Sequence, residues 1–427
     1  MNPLLAVSYE GAARLAHALS SVVPPSRNKL LATFAERRGL RARYAAFPRD
    51  PARPLLWMHA PSVGEGLQAR PVLQLARARR PDLQLAYTYF SPSARAFAAT
   101  LDVDFRDALP FDSTPDMRAA LAALAPTALV FSKLDVWPTL VREAARRGTR
   151  MGLVSATLAA SSSRRSPLAS SLLRGAYARL ERVGAISAED ADRLIALGVP
   201  LSRVSVTGDT RYDQVWARAQ GVKRDSELLA PLTAPGRFTV VAGSTWPADE
   251  AQLLPAWSRV VRHHVSRRPR LVIAPHEPTA AHLAPIERWA TGEALRAARL
   301  SDQAAHDADV VIVDRVGVLG DLYALADAAF VGGGFHAAGL HSVLEPAAFG
   351  APVLFGPRYH ASRDAVALLD ADAASSSTDV SGLERVLDRW LTHDDERRAA
   401  GDAAKALVHR GLGAAERSWR LVQELLR

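Results

Sequence analysis

The segment Trp57-Met58-His59-Ala60-Pro61-Ser62-Val63-Gly64-Glu65-Gly66 decides the fold. Residues 55–59 are a short apolar run, which predicts a buried strand. Ser62 and Gly64 break the run. From 67 to 79, Leu67, Val72, Leu75 and Ala76 recur at helical spacing. A strand therefore hands over to a helix, and Glu65 falls at the helix N-terminus. In open α/β sheets ligands bind outside the carboxyl ends of strands, where an acid can serve as a general base. An acid in that position could equally do no more than complement the helix dipole.

The same alternation extends along the chain. Strands are expected at 55–59, 83–88, 128–131, 151–155, 182–186 and 204–207, with helical patterns between them. Residues 212–235 carry no strand signal and run into the linker composition Ala230-Pro231-Leu232-Thr233-Ala234-Pro235-Gly236. The alternation then restarts, with strands expected at 238–242, 270–274, 310–313, 328–331 and 352–355. Strand and helix in turn mean parallel sheets with helices on both faces. The expected fold class is therefore α/β, two tandem doubly wound Rossmann-like domains facing across a cleft. The expected divisions are an amphipathic N-terminal helix at 1–26, a first domain at 27–215, a linker at 216–236 and a second domain at 237–427. The last helix could pack back on the first domain.

Composition narrows the function. The 427 residues are 48% hydrophobic and 23% charged, as in ordinary globular proteins. Cysteine is absent, which removes disulfides, thiolate metal sites and a thiol nucleophile. No apolar run approaches a membrane span of about 20 residues, and no signal peptide is read. Net charge is +9, and eight basic residues crowd the stretch from Arg27 to Arg53. Such a surface suits an anionic partner: a nucleic acid, an anionic membrane or a phosphorylated substrate. Aromatic residues are not interleaved with the basic stretch, so nucleic acid has no specific support. Residues 3–23 mix Leu4, Val7, Leu15 and Leu19 with Glu10, Arg14 and His17. This segment is a candidate for lying on a membrane surface, or for packing on its own domain.

Site-like turns concentrate in the second half. Gly243-Ser244-Thr245 follows a strand and could hold an anion on its N–H groups. His276 and Glu277, between prolines, also follow a strand. Phe330-Val331-Gly332-Gly333-Gly334 ends a strand in three glycines, which allow close approach of backbone to a ligand. Ser342 is placed to cap the next helix and Glu345 falls in its first turn, where a carboxylate can accept ribose hydroxyls. A tight turn followed by a capping acid would leave the same pattern. No metal motif is present, and no metal or other cofactor is expected.

Taken in order, the motifs resemble the 3-deoxy-D-manno-octulosonic acid (Kdo) transferase family. The matching segments are 59–65, Asp135-Val136-Trp137-Pro138, 208–213, 242–245, 275–278, 314–319, Val331-Gly332-Gly333, and His341 through Pro346. The resemblance implies a GT-B fold and inverting, metal-independent transfer of Kdo from CMP-Kdo to a lipid A precursor in lipopolysaccharide biosynthesis. The enzyme would be a peripheral protein at the cytoplasmic face of the inner membrane. The general base would be Glu65, with Arg211 stabilising the leaving phosphate and Ser62, Gly64 and Asp135 contacting the acceptor. Nucleotide contacts would come from Ser244, Thr245, His276, Glu277, Val316, Gly317, Val318, Gly333, Gly334, Ser342, Val343, Leu344 and Glu345. Four departures stand out. Lys133 replaces a family acid, His276-Glu277 replaces Arg-His, Val316-Gly317-Val318 replaces Met-Gly-Glu, and Ser342 replaces Asn. These motivate two rival readings: a diverged GT-B transferase using another nucleotide sugar, and a non-catalytic paralogue binding anionic lipid.

Overall fold

The structure, a computed structural model, describes residues 3–24, 28–233 and 236–427. The chain divides into two compact units. The first comprises the residues up to Gln214 together with Leu412–Arg427, and the second is Val215–Gly411. The expected division between 26 and 27 lies outside the described residues, as do Pro25, Arg27, Ala234 and Pro235.

The first unit is built on seven parallel strands: β1 (Leu55–His59), β2 (Gln84–Tyr89), β3 (Phe105–Ala108), β4 (Ala128–Ser132), β5 (Arg150–Ala156), β6 (Arg182–Ala185) and β7 (Val204–Val206). They run in the order β3-β2-β1-β4-β5-β6-β7. Strand β1 pairs with β2 on one side and β4 on the other, and all five of its residues are buried. Helices cover both faces of such a sheet, so its central strands read as unbroken apolar runs. The helix Val63–Arg79 follows β1, and its Gly66 is required by packing. A Cβ there would lie 2.4 Å from the Phe97 ring and 2.7 Å from the Tyr87 hydroxyl.

The second unit repeats the plan with β8 (Thr239–Thr245), β9 (Arg270–Pro275), β10 (Ala297–Arg299), β11 (Val310–Ile312), β12 (Ala328–Val331), β13 (Val353–Phe355) and β14 (Ala374–Ser376). Their order is β10-β11-β9-β8-β12-β13-β14, again all parallel. Six and five strands were expected, and seven are found in each unit. The three missed, β3, β10 and β14, are short edge strands. Edges pair on one side only and carry polar residues, so they lack the apolar signature of the centre.

Two features bear on the expected divisions. Residues 216–221, expected to open the linker, continue the helix Thr210–Gly221. The Trp216 ring packs edge-on to His409 at 5.3 Å, with Lys405 above it at 5.9 Å. The final helix, Ala414–Leu425, belongs to the first unit. Asp213 caps its start by accepting from the N–H groups of Gly413 (2.8 Å) and Ala415 (2.9 Å). Trp419, Val422 and Leu425 are fully buried in that unit's core.

The basic stretch is mostly spent internally. Arg37 is buried between the rings of Phe90 and Phe111 and donates to the carbonyls of Leu109, Thr33 and Phe90. Arg43 is paired with Asp107, and Arg41 with Asp116. The helix Pro3–Val22 turns polar groups inward: Tyr9 donates to Asp112, Glu10 accepts from Thr114, and His17 meets Asp116 at 3.0 Å. Val7, Leu15 and Val22 face solvent. Among the described residues no helix is long and apolar enough to cross a membrane.

Replacing Trp419 by Ala is expected to cost about 3–5 kcal/mol of first-unit stability through cavity formation. Chemical denaturation followed by intrinsic fluorescence measures this, and a loss below about 1 kcal/mol would show that the final helix is dispensable to that core.

Candidate active site

In each sheet the strand order reverses at one place, between β1 and β4 in the first unit and between β8 and β12 in the second. A crevice opens at the carboxyl ends of strands that diverge in this way, and ligands bind there. Of the residues singled out by sequence, Glu65 and Lys133 lie at the first reversal and Ser244, Thr245 and Gly333 through Glu345 at the second, while His276 and Glu277 follow β9, Val316 to Val318 follow β11 and Arg211 follows the edge strand β7.

In the first unit, Glu65 follows β1 and Lys133 follows β4. The Lys133 ammonium lies 3.0 Å from Glu65 Oε1, and the Ser62 hydroxyl donates to Oε2. The last residue of β4, Ser132, donates to the Glu65 carbonyl at 3.0 Å and ties the helix start to the sheet. Lys133 has φ +71°, a left-handed conformation costly for a residue with a side chain. Its backbone is held there by bonds to Val154 O and from Thr157 N. Burial pushes the Glu65 carboxyl up, but the Ser62 hydrogen bond and the charge and hydrogen bond of Lys133 outweigh it. The net effect holds Glu65 below its ordinary value.

A buried polar relay stands behind this pair. The Trp137 indole N–H donates to His59 Nε2 at 3.0 Å, so the ring proton of His59 resides on Nδ1, which meets Thr88 Oγ1 at 2.9 Å. Trp57 donates to the same hydroxyl at 2.8 Å. Burial drives His59 down to about 3, and it stays neutral. Neutral His59 thus fixes Trp137 and the loop carrying Lys133 and Asp135. Asp135 itself is ion-paired with Arg164. Arg211 opens the helix Thr210–Gly221, and Asp209 grips its guanidinium through Nε (2.9 Å) and Nη2 (2.8 Å).

The second unit corrects several expectations. Thr245 is fully buried and its hydroxyl donates to Glu250 at 2.7 Å, so it is not presented to a ligand. Ser244, at φ +56°, is the strained residue of that turn. The three glycines admit neighbouring chain. A Cβ on Gly332 would lie 2.2 Å from Ser244 O, one on Gly333 2.1 Å from Gly339 O, and one on Gly334 2.4 Å from Gly356 N. The N–H groups of Gly333 and Phe335 are held by the buried carboxylate of Asp249 at 2.7 and 3.0 Å, which also accepts from Trp246 N at 2.9 Å. Ser342 does not cap the following helix. Val343 is the residue before Leu344–Ala348, without a side-chain capping bond, and Ser342 is exposed. Val343 and Leu344 are core residues. Val316 is exposed, and Val318 precedes the short helix Leu319–Leu322.

Sequence reasoning missed the ring cluster at this edge. Trp246 is sandwiched between His336 (4.1 Å, 5°) and His276 (4.6 Å, 20°). Its N–H donates to His341 Nε2 at 3.0 Å, and His276 lies 4.7 Å from His341. Burial lowers His341 further from the protonated form. Arg218, assigned by sequence to a linker, lies over Gly320 and meets Asp321 at 3.0 Å and the Gly317 carbonyl at 3.5 Å. Burial raises the Glu345 carboxyl, and Arg218 is the charge that opposes it.

With this geometry in place, comparison with known proteins assigns the family. Residues 33–214 match the family model "3-Deoxy-D-manno-octulosonic-acid transferase (kdotransferase)". A 3-deoxy-D-manno-octulosonic acid transferase of Bordetella pertussis is 32% identical over 393 residues, covering 90% of each chain. The chain belongs to the Kdo transferase family. A family member from Chlamydophila psittaci is 28% identical over 86% of this chain and 84% of its own. The family's enzymes are glycosyltransferases, and the two-unit architecture is of the GT-B type. Among solved structures, a UDP-GlcNAc 2-epimerase from Neisseria meningitidis bound to UDP-GlcNAc superposes with a TM-score of 0.63. Its identity is 13%, over 87% of this chain and 99% of that one. A putative UDP-N-acetylglucosamine 2-epimerase from Listeria monocytogenes gives 0.60 at 12% identity, over 87% of this chain and 95% of that one. Likeness at such identity concerns the fold alone.

Replacing Lys133 by Met tests its hold on Glu65. A carboxyl held below its ordinary value regains its proton only as pH falls below the usual carboxylate range. Removing Lys133 takes away two lowering effects and leaves burial, which raises, opposed chiefly by the Ser62 hydrogen bond. The acid limb of the pH–rate profile is therefore expected to move to higher pH, and an unmoved limb would show that the pair does not set the ionisation of Glu65.

Proposed function

We propose that this chain transfers Kdo from CMP-Kdo to a lipid A precursor with inversion, using Glu65 as the general base and no metal ion. Membership of the Kdo transferase family supports the donor and acceptor classes. The observation that carries the catalytic assignment is the Glu65 carboxylate at the first unit's strand reversal, ionised and anchored at a helix start. In this reading the acceptor hydroxyl gives its proton to Glu65 as its oxygen attacks the anomeric carbon, and CMP leaves from the opposite face. Of the four lone-pair directions of the Glu65 carboxylate, Ser62 and Lys133 occupy two, which leaves room for the acceptor. Lys133 keeps the base ionised at neutral pH, and the same charge lowers its basicity. General-base catalysis contributes typically about 10²–10⁴-fold. Positioning and stabilisation of the leaving phosphate supply the remainder. Arg211 is the candidate for that phosphate once Asp209 yields part of its hold. Arg218, Glu345 and the ring stack on Trp246 form the candidate nucleotide surface.

The Glu65→Gln protein is expected to lose at least about 100-fold in kcat while its KM for the donor changes little. Activity close to wild type would remove Glu65 from the role of base.

A second reading, a family member whose nucleotide differs from CMP, rests on His276-Glu277 and Ser342, which stand where Arg-His and Asn are expected. A ligand that binds only the folded state raises the melting temperature. CMP is expected to raise it more than UDP or GDP at equal concentration, and a rise with UDP alone would replace CMP as the donor nucleotide.

Contact with the cytoplasmic face of the inner membrane rests on Val7, Leu15, Val22 and Leu30, which are exposed on the first two helices. Charge contributes less, since most of the early arginines are paired internally. Val7→Ser/Leu15→Ser is expected to weaken flotation with anionic vesicles several-fold and to leave turnover of a water-soluble acceptor unchanged. Equal flotation of the two proteins would place the contact elsewhere.

A further inference from the structure

The second unit has a cavity of about 810 Å³ that the reaction does not use. It is lined where β8 begins, at Phe238 and Thr239, and where β12 is about to begin, at Leu325 and Asp327. This is the amino edge of the sheet, opposite the carboxyl edge that carries Trp246, His276 and the glycine turn. Five arginines and two aspartates line it, and since Arg237 is paired with Asp309 behind the wall at 2.6 Å, the surplus is two positive charges. Concave walls of low dielectric focus such a surplus and concentrate counter-ions.

The arginines differ in how they are held. Arg397 has a side chain only 12% exposed and lies over the Phe238 ring at 5.3 Å. It donates to the Trp390 carbonyl and to Asp394 at 2.6 Å each. This leaves a guanidinium already fixed in place, so little side-chain entropy remains to be lost on binding. Arg267 is likewise fixed, by a bond to the Leu391 carbonyl at 2.6 Å. Arg398 is 69% exposed and meets Asp394 only at 3.5 Å, and Arg224 is exposed. Two anchored and two adjustable guanidinium groups around one volume make a chelating arrangement. The volume lies within the range of about 300–1,000 Å³ typical of small-ligand pockets. The planar N–H forks of arginine match phosphate oxygens two at a time.

We infer that this cavity is a second anion site, distinct from the donor site, for a ligand carrying two or three phosphate charges. A single carboxylate would leave half of the surplus uncompensated. The chemistry is shared by free phosphate compounds and by a phospholipid headgroup, and the test separates them.

Inorganic pyrophosphate is titrated calorimetrically into the full chain and into Arg224→Gln/Arg398→Gln, whose exposed positions leave the fold and its melting temperature unchanged. The wild type is expected to bind it saturably and more weakly as salt rises, and the double variant at least tenfold more weakly. The same pair is compared for flotation with vesicles containing cardiolipin, whose headgroup carries two phosphates, against phosphatidylcholine alone. A loss confined to pyrophosphate assigns the site to a free phosphate compound. A loss of cardiolipin flotation assigns it to a headgroup. Equal behaviour of the two proteins in both arms, or no saturable pyrophosphate binding with equal flotation, would overturn the inference.

Discussion

Burial of both faces of a parallel sheet is the constraint from which the other features follow. Strands such as β1, β8 and β9, buried along nearly their whole length, have no place for a reactive side chain between the helices that cover them. Chemistry is displaced to the carboxyl ends, and it opens to solvent where the strand order reverses. Both units put a candidate acid there, Glu65 in one and Glu345 in the other, and both carry a strained residue at that point. Lys133 and Ser244 each hold a left-handed backbone immediately at the end of a strand beside the reversal. Such strain persists only where the surroundings over-determine it. At Lys133 the surroundings are the bonds to Val154 and Thr157, and the Tyr177 hydroxyl fastens the same loop at the Leu134 carbonyl.

Beside the acids paired with arginine, two kinds stand out. Asp112, Asp213 and Asp249 spend their oxygens on backbone N–H groups. Asp112 accepts from Thr139 and Leu140 as well as from Tyr9, and burial lifts it to about 7. These are locks on loops and helix starts, and an unmade bond in such a buried place would cost more than the bond itself contributes. Glu65 and Glu345 are the other kind, acids in the first turn of a helix at the strand reversals. They are set in opposite directions. A cation and a hydroxyl hold Glu65 ionised, and burial lifts Glu345. Burial disfavours the charged form of Glu345, whereas Ser62 and Lys133 favour that of Glu65.

The fold was legible wherever burial is two-sided. Ten strands could be placed because their apolar runs are punctuated by turn residues, and the edge strand β7 was placed on Val204 and Val206 although it is largely exposed. β3, β10 and β14 could not, because one-sided pairing relaxes the demand for apolar residues. Glu65 was legible because a strand–turn–helix transition leaves a one-dimensional trace. The stack of Trp246 with His276, His336 and His341 was not. Its members come from three separate turns, and only strand order makes them neighbours. Arg218 was hidden for a related reason: its segment lacks strand character and looked like linker, although it is helix.

The order of strands and helices, the placement of Glu65 and the family motifs were determined by the sequence itself, because local apolar periodicity and turn chemistry are properties of neighbouring residues. Only the tertiary structure decided what each polar group spends its hydrogen bonds on. Thr245 and the Gly333 N–H, promising as ligand contacts, are consumed by Glu250 and Asp249. The early arginines, promising as a basic surface, are consumed by Asp107, Asp116 and backbone carbonyls. A donor or acceptor is available to a ligand only if no nearer partner has taken it, and partners distant in sequence become near only when the chain folds.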